Sequence, residues 1–396
     1  MSDREIPAGW QIVPLSELLA EQSDLTYGVV QPGQSTPGGV PIIRVKDIRK
    51  GRIATEDLLL ISPDIERQYQ RSRIKGGELL VTLVGTVGET AIASDEQRGW
   101  NTARAVATVR LPALEYSHWV SYCIQSPEGQ ERIRSRVNTT VQTTLNLKDL
   151  REFPVLLPPL NERRAIAGIL GVLDDKIEST RRLARVSQDL ARAEFASAIS
   201  SNAQRLPLAD LLMPVHDRGQ VIVHSSPYVG LEHFDGFDLA LWNFGVAEDS
   251  KSASKVAQKG DLLFGRIRPY FGNVALVGRE AVVAQSVEVL RAKKREFREV
   301  SYLGLSSREF IETATTLSHG TTMPQVKWSD LSRQELSVPT NEDILDLHQR
   351  LSPLFELIEI LPKEFEHLAC LRTVMLSELM SGRLRVRDAE SMMENV

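Results

Sequence analysis

The chain has 396 residues, of which 42% are hydrophobic and 25% are charged, a balance typical of globular proteins and unlike that of long disordered segments. Its formal net charge of −5 argues weakly against a nucleic-acid-binding protein, although a local basic surface can lie on an acidic body. The two cysteines, Cys123 and Cys370, are too far apart in sequence to suggest a disulfide framework or a zinc cluster, and no stretch has the length and apolarity of a membrane span. We therefore expect a cytoplasmic protein of at least two domains, with no signal peptide and no membrane partner.

The first 150 residues or so predict a domain rich in β-strands. Short apolar runs are bounded by Gly or by polar residues, as in "GVPIIRV", "GELLVTLVG", "ETAIAS" and "RAVATVRL". Runs of this length and composition are typical of strands in a packed sheet.

A long helix follows at "LLPPLNERRAIAGILGVLDDKIE". The two prolines end the preceding run, and Asn161 is a plausible N-cap. No Pro or Gly interrupts the chain from Val172 to Asn202. Apolar residues recur in steps of three and four, as in a coiled-coil seam, at Ile166, Leu170, Leu173 and Ile177.

The second half of the chain repeats the first. Asp149 corresponds to Asp330, and Pro158 to Pro339, with a common offset of 181 residues. A period this long indicates a duplicated domain rather than a solenoid.

The second copy ends in its own long helix, which we expect to begin near Asn341. Its heptad positions include Leu347, Leu351, Leu354, Ile358 and Leu361. Pro353 and Pro362 lie inside this run, and each removes a backbone donor, so we expect a kink or a local break. Two such helices favour an antiparallel pair, with the heptad residues at the interface with the partner helix. The alternative is that each helix packs on its own domain.

The order of motifs resembles one protein family. A Thr-rich loop is followed by "NLKDL", "LLPPLNERRAIAGIL" and "LDDKIE", and "LSELMSGRLRV" lies near the C-terminus. This order is similar to that of the specificity (S) subunit of type I restriction-modification systems, the HsdS family, over nearly the whole chain. The second copy departs from the pattern, with "SVPTNEDILDL" in place of the Pro-Pro-Leu form.

The resemblance implies an α+β fold with two tandem mixed α/β target-recognition domains related by a pseudo-twofold axis. The two long helices would form an antiparallel coiled-coil spacer. The implied boundaries are residues 1–158 and 204–339 for the domains, 159–203 and 340–386 for the helices, and 387–396 for a C-terminal tail.

The resemblance also implies a non-catalytic role. One S chain would read a bipartite sequence in double-stranded DNA, each domain reading one half-site, and would carry two methyltransferase (M) subunits. Those partners would bind S-adenosylmethionine and methylate adenine at N6, and restriction/translocase (R) subunits can join. The chain itself would bind no cofactor and no metal. Two alternatives remain, a protein-interaction scaffold with duplicated heads that do not bind DNA, and an enzyme with an unfamiliar site.

The loop "GRIRPYFGN" is the first candidate DNA contact. Arg266 and Arg268 are two residues apart in a strand-like run, so we expect both to project from one face. Tyr270 would present a ring beside these charges, with Asn273 at the end of the loop. The first-half counterpart, "TLVGTVGE", offers Thr82 and Thr86. The alternative is an ordinary hairpin with a core Phe.

The Thr-rich loops and a basic run are the other candidates. Hydroxyls and amides can contact phosphates or base edges, although Thr and Asn also cap helices and turns. The loop residues are Thr139, Thr140, Gln142 and Thr143 in the first half, with Arg134 before them, and Thr321, Thr322 and Gln325 in the second. The basic run contains Arg44, Lys46 and Arg49, and His233 lies in its second-half counterpart. A solvated strand edge explains the basic run equally well.

The surfaces of the long helices are candidate docking sites for the methyltransferase subunits. Their apolar stripes would remain exposed for helices of the partner. Two ordinary solvated faces are an equally good interpretation.

Overall fold

The computed structural model describes residues 7–19, 21, 25–49, 51–55, 57–136, 144–201, 203–216, 226–249 and 253–393. The chain forms two compact units. Unit 1 comprises residues 1–173 and 371–396, and unit 2 comprises residues 174–370. The boundaries inferred from the sequence, at 158, 203, 339 and 386, remain predictions.

Unit 1 is built from short strands and short helices. Its strands are β1 (Gln11–Pro14), β2 (Leu25–Tyr27), β3 (Val40–Ile43), β4 (Ile48–Arg49), β5 (Arg52–Ile53), β6 (Leu59–Ile61), β7 (Leu79–Thr82), β8 (Thr90–Ile92), β9 (Asn101–Thr102), β10 (Val106–Val109) and β11 (Pro154–Leu157). Its short helices are α1 (Pro63–Glu66), α2 (Leu114–Gln125), α3 (Pro127–Arg136) and α4 (Leu147–Arg151). The long helix α5 (Leu160–Ser201) follows and continues into the residues of unit 2. The four apolar runs of the sequence all form strands, as predicted.

Unit 2 repeats this arrangement. Its strands are β12 (Ala203–Pro207), β13 (Leu212–Pro214), β14 (Pro227–Val229), β15 (Gly245–Val246), β16 (Ala253–Ala257), β17 (Leu262–Gly265), β18 (Val274–Leu276), β19 (Ala281–Ala284), β20 (Val287–Ala292) and β21 (Glu335–Pro339). Its helices are α6 (Leu208–Leu211), α7 (Phe297–Leu305), α8 (Arg308–Thr316), α9 (Trp328–Leu331) and the long α10 (Asn341–Met380), which α11 (Val386–Met393) follows in unit 1.

The sheets demonstrate the duplication independently of the sequence offset. The four-stranded sheet β2-β10-β7-β8 of unit 1 corresponds to β13-β20-β17-β18 of unit 2. Parallel pairing also joins equivalent strands, β3 with β9 and β14 with β19. Antiparallel pairing closes each repeat, β1 with β11 and β12 with β21. The expected α+β fold with two mixed repeats is therefore confirmed.

The strands β7 of unit 1 and β17 of unit 2 are buried on both faces. Successive side chains of β17 therefore point to opposite faces of the sheet and pack in two different apolar clusters. Leu262 and Phe264 belong to a large apolar cluster that also contains residues of α7 and α10. Leu263 lies in a second cluster with Val283 of β19. Because both faces are covered, β17 has no polar face, and its sequence is a continuous apolar run.

Within unit 2, α10 packs on its own domain and also runs antiparallel to α5. Leu347, Leu351 and Ile358 lie in the same apolar cluster as residues of the four-stranded sheet. Arg350 forms an ion pair with Glu194, and the Arg181 guanidinium lies 4.2 Å from the centre of the Phe365 ring. As residue numbers rise along α5 they fall along α10, so the expected antiparallel pairing is confirmed. The alternative that α10 packs on its own domain is also correct, because its apolar residues contact both the four-stranded sheet and α5.

The break expected at the prolines of α10 is absent. The helix is continuous from Asn341 to Met380 with Pro353 and Pro362 inside it. Phe355 between them is fully buried, and Leu361 is only 4% exposed. This packing holds the helix together where backbone donors are missing, so the predicted local break does not form, whereas the predicted kink stays a prediction.

Candidate nucleic-acid interface

Three separate segments of unit 2 are joined by backbone hydrogen bonds into one platform. Arg266 N donates to Ser286 O (2.9 Å), and Val326 N donates to Arg266 O (3.0 Å). Arg268 N donates to Pro324 O (2.8 Å). The platform therefore unites the Arg-aromatic loop, the second Thr-containing loop and the turn between β19 and β20. The sequence suggested the two loops only as independent candidates.

Unit 1 contains the same platform at equivalent positions. Leu83 N donates to Ala105 O (2.8 Å), and Leu145 N donates to Leu83 O (2.8 Å). An isolated antiparallel bridge joins Val84 to Thr144, as another joins Ile267 to Gln325 in unit 2. The duplication has thus preserved a specific junction of three segments as well as the sheets.

The platform of unit 2 carries exposed aromatic, basic and hydroxyl side chains. Tyr270 and Phe271 are 47% and 51% exposed, and their ring centroids lie 4.7 Å apart. Arg268 is exposed on the same loop, and Thr321, Thr322 and Met323 (61%) are exposed on the second Thr-containing loop. The alternative of a hairpin with a core Phe is wrong for Phe271.

The backbone explains why this turn projects outward. Arg268 has φ of 50°, in the left-handed region, and begins a 3-10 turn over Pro269–Phe271. Gly272 ends the turn with φ of 66°. A Cβ on Gly272 would lie 2.6 Å from the Phe237 ring, so only glycine fits. The expectation that Arg266 and Arg268 share one strand face is therefore wrong, because β17 ends at Gly265.

Arg266 is a structural residue rather than a free cation. Its Nε lies 3.6 Å from a carboxylate oxygen of Glu288, and its Nη2 donates to Gln285 O at 2.5 Å. Glu288 is nearly buried and also accepts from Lys255 (3.0 Å). The sequence predicts Arg266 as a DNA contact. That contact is not supported, because the acidic partner of Arg266 lies on a neighbouring strand.

Thr82 is also structural. It is fully buried, and its hydroxyl accepts from Glu89 N (2.9 Å) while contacting Thr86 O. A side chain in this position cannot reach DNA, so its assignment as a contact is wrong. Thr86 on the same loop is exposed and remains a candidate.

His233 is likewise committed inside its domain. Its side chain is 14% exposed, and its Nδ1 accepts from Gly230 N (2.9 Å). Its ring meets Tyr228 edge-on at 5.7 Å. These contacts do not support the DNA contact predicted for His233. Two other predicted contacts, Gln325 and Asn273, are half-buried. The backbone N–H and carbonyl of Gln325 both pair with His319 (2.9 Å each). The carbonyl of Asn273 accepts from Gly265 N (2.8 Å).

The basic run of unit 1 is partly neutralised. Arg44 donates to both carboxylate oxygens of the buried Asp47 (2.8 and 3.1 Å), so its DNA contact is not supported. Lys46 pairs with Asp57 at 2.8 Å, and this hydrogen bond holds the pKa of the Asp57 carboxyl below its usual range. Arg49 is exposed on β4, and among the described residues its side chain donates through Nε to Lys46 O (2.9 Å).

The remaining predicted contacts are placed as follows. Arg134 is exposed in the last turn of α3. Thr139, Thr140, Gln142 and Thr143 lie outside the described residues.

The predicted helix-interface residues are mostly buried. Those at most 4% exposed are Ile166, Leu170, Leu173, Leu347, Leu351, Ile358 and Leu361, whereas Ile177 and Leu354 are partly buried. The seven buried residues pack within the chain and offer no surface to another subunit. The apolar side chains exposed on α5 lie elsewhere, at Leu183 (45%), Val186 (54%) and Leu190 (47%).

Two features of unit 1 were missed by the sequence analysis. A cleft of about 350 Å³ opens at the platform, lined by Tyr27, Leu83, Val84, Arg104, Ala105, Thr144 and Leu145. Tyr27 is 42% exposed at the end of β2, and Arg104 is exposed in the turn before β10. The only signal in the sequence was a single Arg in the run "NTARAVATV".

The described part of the chain shows no group of three or more His, Cys, Asp or Glu residues arranged to hold a metal ion. None of its helices is long and apolar enough to cross a membrane.

Comparison with known proteins decides the family. A family model described as the type I restriction modification DNA specificity domain matches residues 7–187 and 227–367. The chain belongs to this family. Its members are specificity subunits of restriction systems, which are non-catalytic.

Individual relatives cover the chain to different extents. The EcoBI specificity subunit of Escherichia coli is 36% identical over 166 residues, which are 41% of this chain and 34% of that protein. The chain thus spans about a third of that relative. The MjaVIII specificity subunit of Methanocaldococcus jannaschii is 19% identical over 429 residues, covering 98% of this chain and 96% of that protein. The crystal structure of the S subunit from M. genitalium has a TM-score of 0.57 and 16% identity, and it covers 96% of this chain and 97% of that one, which shows a shared fold.

Proposed function

We propose that this chain is the DNA sequence-recognition subunit of a type I restriction-modification complex. It binds a bipartite target in double-stranded DNA, and each unit reads one half-site. The observation that carries this proposal is the platform, which both units form through the same ladder of backbone hydrogen bonds. A target made of two half-sites requires two similar readers, and a duplicated platform supplies them.

The side chains on the platform of unit 2 suit nucleic acid. Arg268 offers five donors for phosphates or guanine, and the hydroxyls of Thr321 and Thr322 suit phosphates or base edges. Tyr270 and Phe271 add exposed rings that pack against sugars or unstacked bases. Since the whole chain has a net charge of −5, such local groups must supply the affinity.

The same proposal assigns the partners. One chain carries two methyltransferase subunits, which bind S-adenosylmethionine and methylate adenine at N6 in each half-site, and restriction/translocase subunits join in the cytoplasm. The exposed apolar residues Leu183, Val186 and Leu190 of α5 lie at helical spacing on one face. They are the docking surface for a methyltransferase helix that we favour over the buried heptad positions.

Methylation mapping tests the proposal. The chain is expressed with its cognate methyltransferase subunit in a host that lacks adenine methylation, and modified adenines are located by sequencing. We expect a split motif with a modified adenine in each half. Exchange of residues 1–159, which end before α5, with those of another family member is expected to change one half only. A stable complex that modifies no adenine would instead favour a protein-interaction scaffold.

A further inference from the structure

The turn between the two sheets of each repeat presents one exposed long polar side chain at the platform. In unit 1 this turn joins β9 to β10 and carries Arg104, and in unit 2 it joins β19 to β20 and carries Gln285. The pairing registers show that the two positions are equivalent. Arg104 lies two residues before the partner of Thr82, and Gln285 lies two residues before the partner of Gly265.

Both turns are held rigidly by the platform. Arg104 N donates to Val29 O (2.8 Å), and the next residue, Ala105, accepts from Leu83 N (2.8 Å). Gln285 O accepts from the Arg266 guanidinium (2.5 Å), and the next residue, Ser286, accepts from Arg266 N (2.9 Å). The backbone is therefore fixed by neighbouring strands while each side chain points away from the packed core. A side chain that recognises a base needs a rigidly held backbone, because a small displacement would move it out of hydrogen-bonding distance of that base.

The side-chain ends themselves are free. Within the described residues, neither the Arg104 guanidinium nor the Gln285 amide makes a hydrogen bond or an ion pair, and both residues are exposed. Arg266, one segment away, is bound by Glu288 and the Gln285 carbonyl. Glu288 pairs with Arg266, whereas no described acidic residue pairs with Arg104.

The surroundings of Arg104 are concave. It contributes the charged side chain among the described residues that line the 350 Å³ cleft, beside Tyr27 and Thr144. Among the described residues that line this cleft there is no carboxylate to compete with a nucleic-acid ligand. An unpaired guanidinium at a concave, mostly apolar rim suits the planar edge of a base better than it suits an isolated phosphate.

We propose that Arg104 and Gln285 are the equivalent base-reading residues of the two units. Arg104 reads a guanine through O6 and N7 in one half-site, and Gln285 reads an adenine through N6 and N7 in the other. Arginine can form such paired hydrogen bonds with guanine, and glutamine with adenine, in the major groove. The inference rests on the proposed DNA-recognition function and deepens it, because it assigns the difference between the half-sites to one position of the repeat.

The test coexpresses the full chain with its methyltransferase subunit and maps the methylated DNA motif by sequencing. The wild type is compared with the Arg104→Gln and Gln285→Ala variants. We expect Arg104→Gln to relax or change one guanine position in one half only. Gln285→Ala should relax one adenine position in the other half. Arg98→Gln at the opposite end of β9 and Gln258→Ala in the turn before β17 are matched controls, since both are exposed, and they should keep the wild-type motif.

If a variant no longer methylates DNA in cells, its DNA binding is measured with the purified complex. Replacing the assigned guanine by 7-deazaguanine removes the N7 acceptor and should weaken wild-type binding by roughly 5- to 150-fold, but should not weaken binding by Arg104→Gln. Substitution of 7-deazaadenine tests Gln285 in the same way. An unchanged motif in both variants, an equal analogue effect on wild type and variant, or a uniform loss across all sequences would overturn the base-reading assignment while the DNA-recognition function stands. A wild type that modifies no split motif would overturn both.

Discussion

At the scale of single residues, two threonines four positions apart have opposite roles. The buried hydroxyl of Thr82 accepts from Glu89 N, whereas Thr86 is exposed on the platform loop. We expect Thr82→Val to lower the free energy of unfolding by about 1–3 kcal/mol, because it leaves a buried donor without its partner. Urea titration of the full chain measures this change.

Thr86→Val on the same loop is the matched control for that substitution. It should alter stability by less than about 0.5 kcal/mol, since the side chain is solvated. Equal effects of the two substitutions would contradict the role assigned to the Thr82 hydroxyl.

The two cysteines should also differ in reactivity. Cys123 is buried and Cys370 is exposed. Burial raises the pKa of the Cys123 thiol to about 12, so almost no thiolate forms at pH 8. A thiol-disulfide reagent should therefore titrate one cysteine in the native chain and two after denaturation. Cys370→Ser should abolish the native reaction, and reaction of that variant in the folded state would show that Cys123 is accessible.

At the scale of secondary-structure elements, the middle of α5 buries small side chains and exposes large apolar ones, unlike a coiled-coil seam, in which large apolar residues are buried. Thr180, Ala184 and Ser187 are buried, whereas Val186 and Leu190 are about half exposed. Small residues allow close packing within the chain, and the large ones remain available to another subunit.

This distribution makes the docking proposal testable. Val186→Asp should abolish or greatly weaken copurification with the methyltransferase subunit, because a charge would lie in an apolar interface. The urea midpoint of the isolated chain should not change, since Val186 is 54% exposed. Val246→Asp is the control, because Val246 on β15 is similarly exposed (44%) and lies off the helix. Retention of the partner by Val186→Asp would exclude this stripe as the docking surface.

At the scale of the whole molecule, the net charge of −5 means that the proposed DNA affinity depends on local groups of exposed cations. Arg49 and Arg134 are exposed and lie away from the hydrogen bonds of the platform. If each contacts a phosphate, Arg49→Gln and Arg134→Gln should each reduce the slope of log affinity against log salt by about 0.9. The methylated motif should stay the same, because phosphate contacts carry no sequence information. A changed motif with an unchanged slope would indicate base contacts instead.

The sequence by itself determined the repeated architecture. The constant offset between Asp149 and Asp330, the apolar runs and the long uninterrupted helix depend on local periodicity and order along the chain, which survive in a single sequence. The same local features carried the family resemblance. The sequence also suggested candidate contacts that prove to be exposed, such as Arg268 and Thr321, and their role as DNA contacts stays a prediction.

Only the tertiary structure decided which candidates are free to bind. Glu288 neutralises Arg266 from a neighbouring strand, and the continuity of α10 through its prolines depends on packing against the domain. The platform itself joins Arg268 to Pro324, residues more than fifty positions apart, through a backbone hydrogen bond. Such long-range pairing leaves no local periodicity in the sequence. The exposure of Arg104 and Gln285 therefore became visible only once the strands were placed side by side.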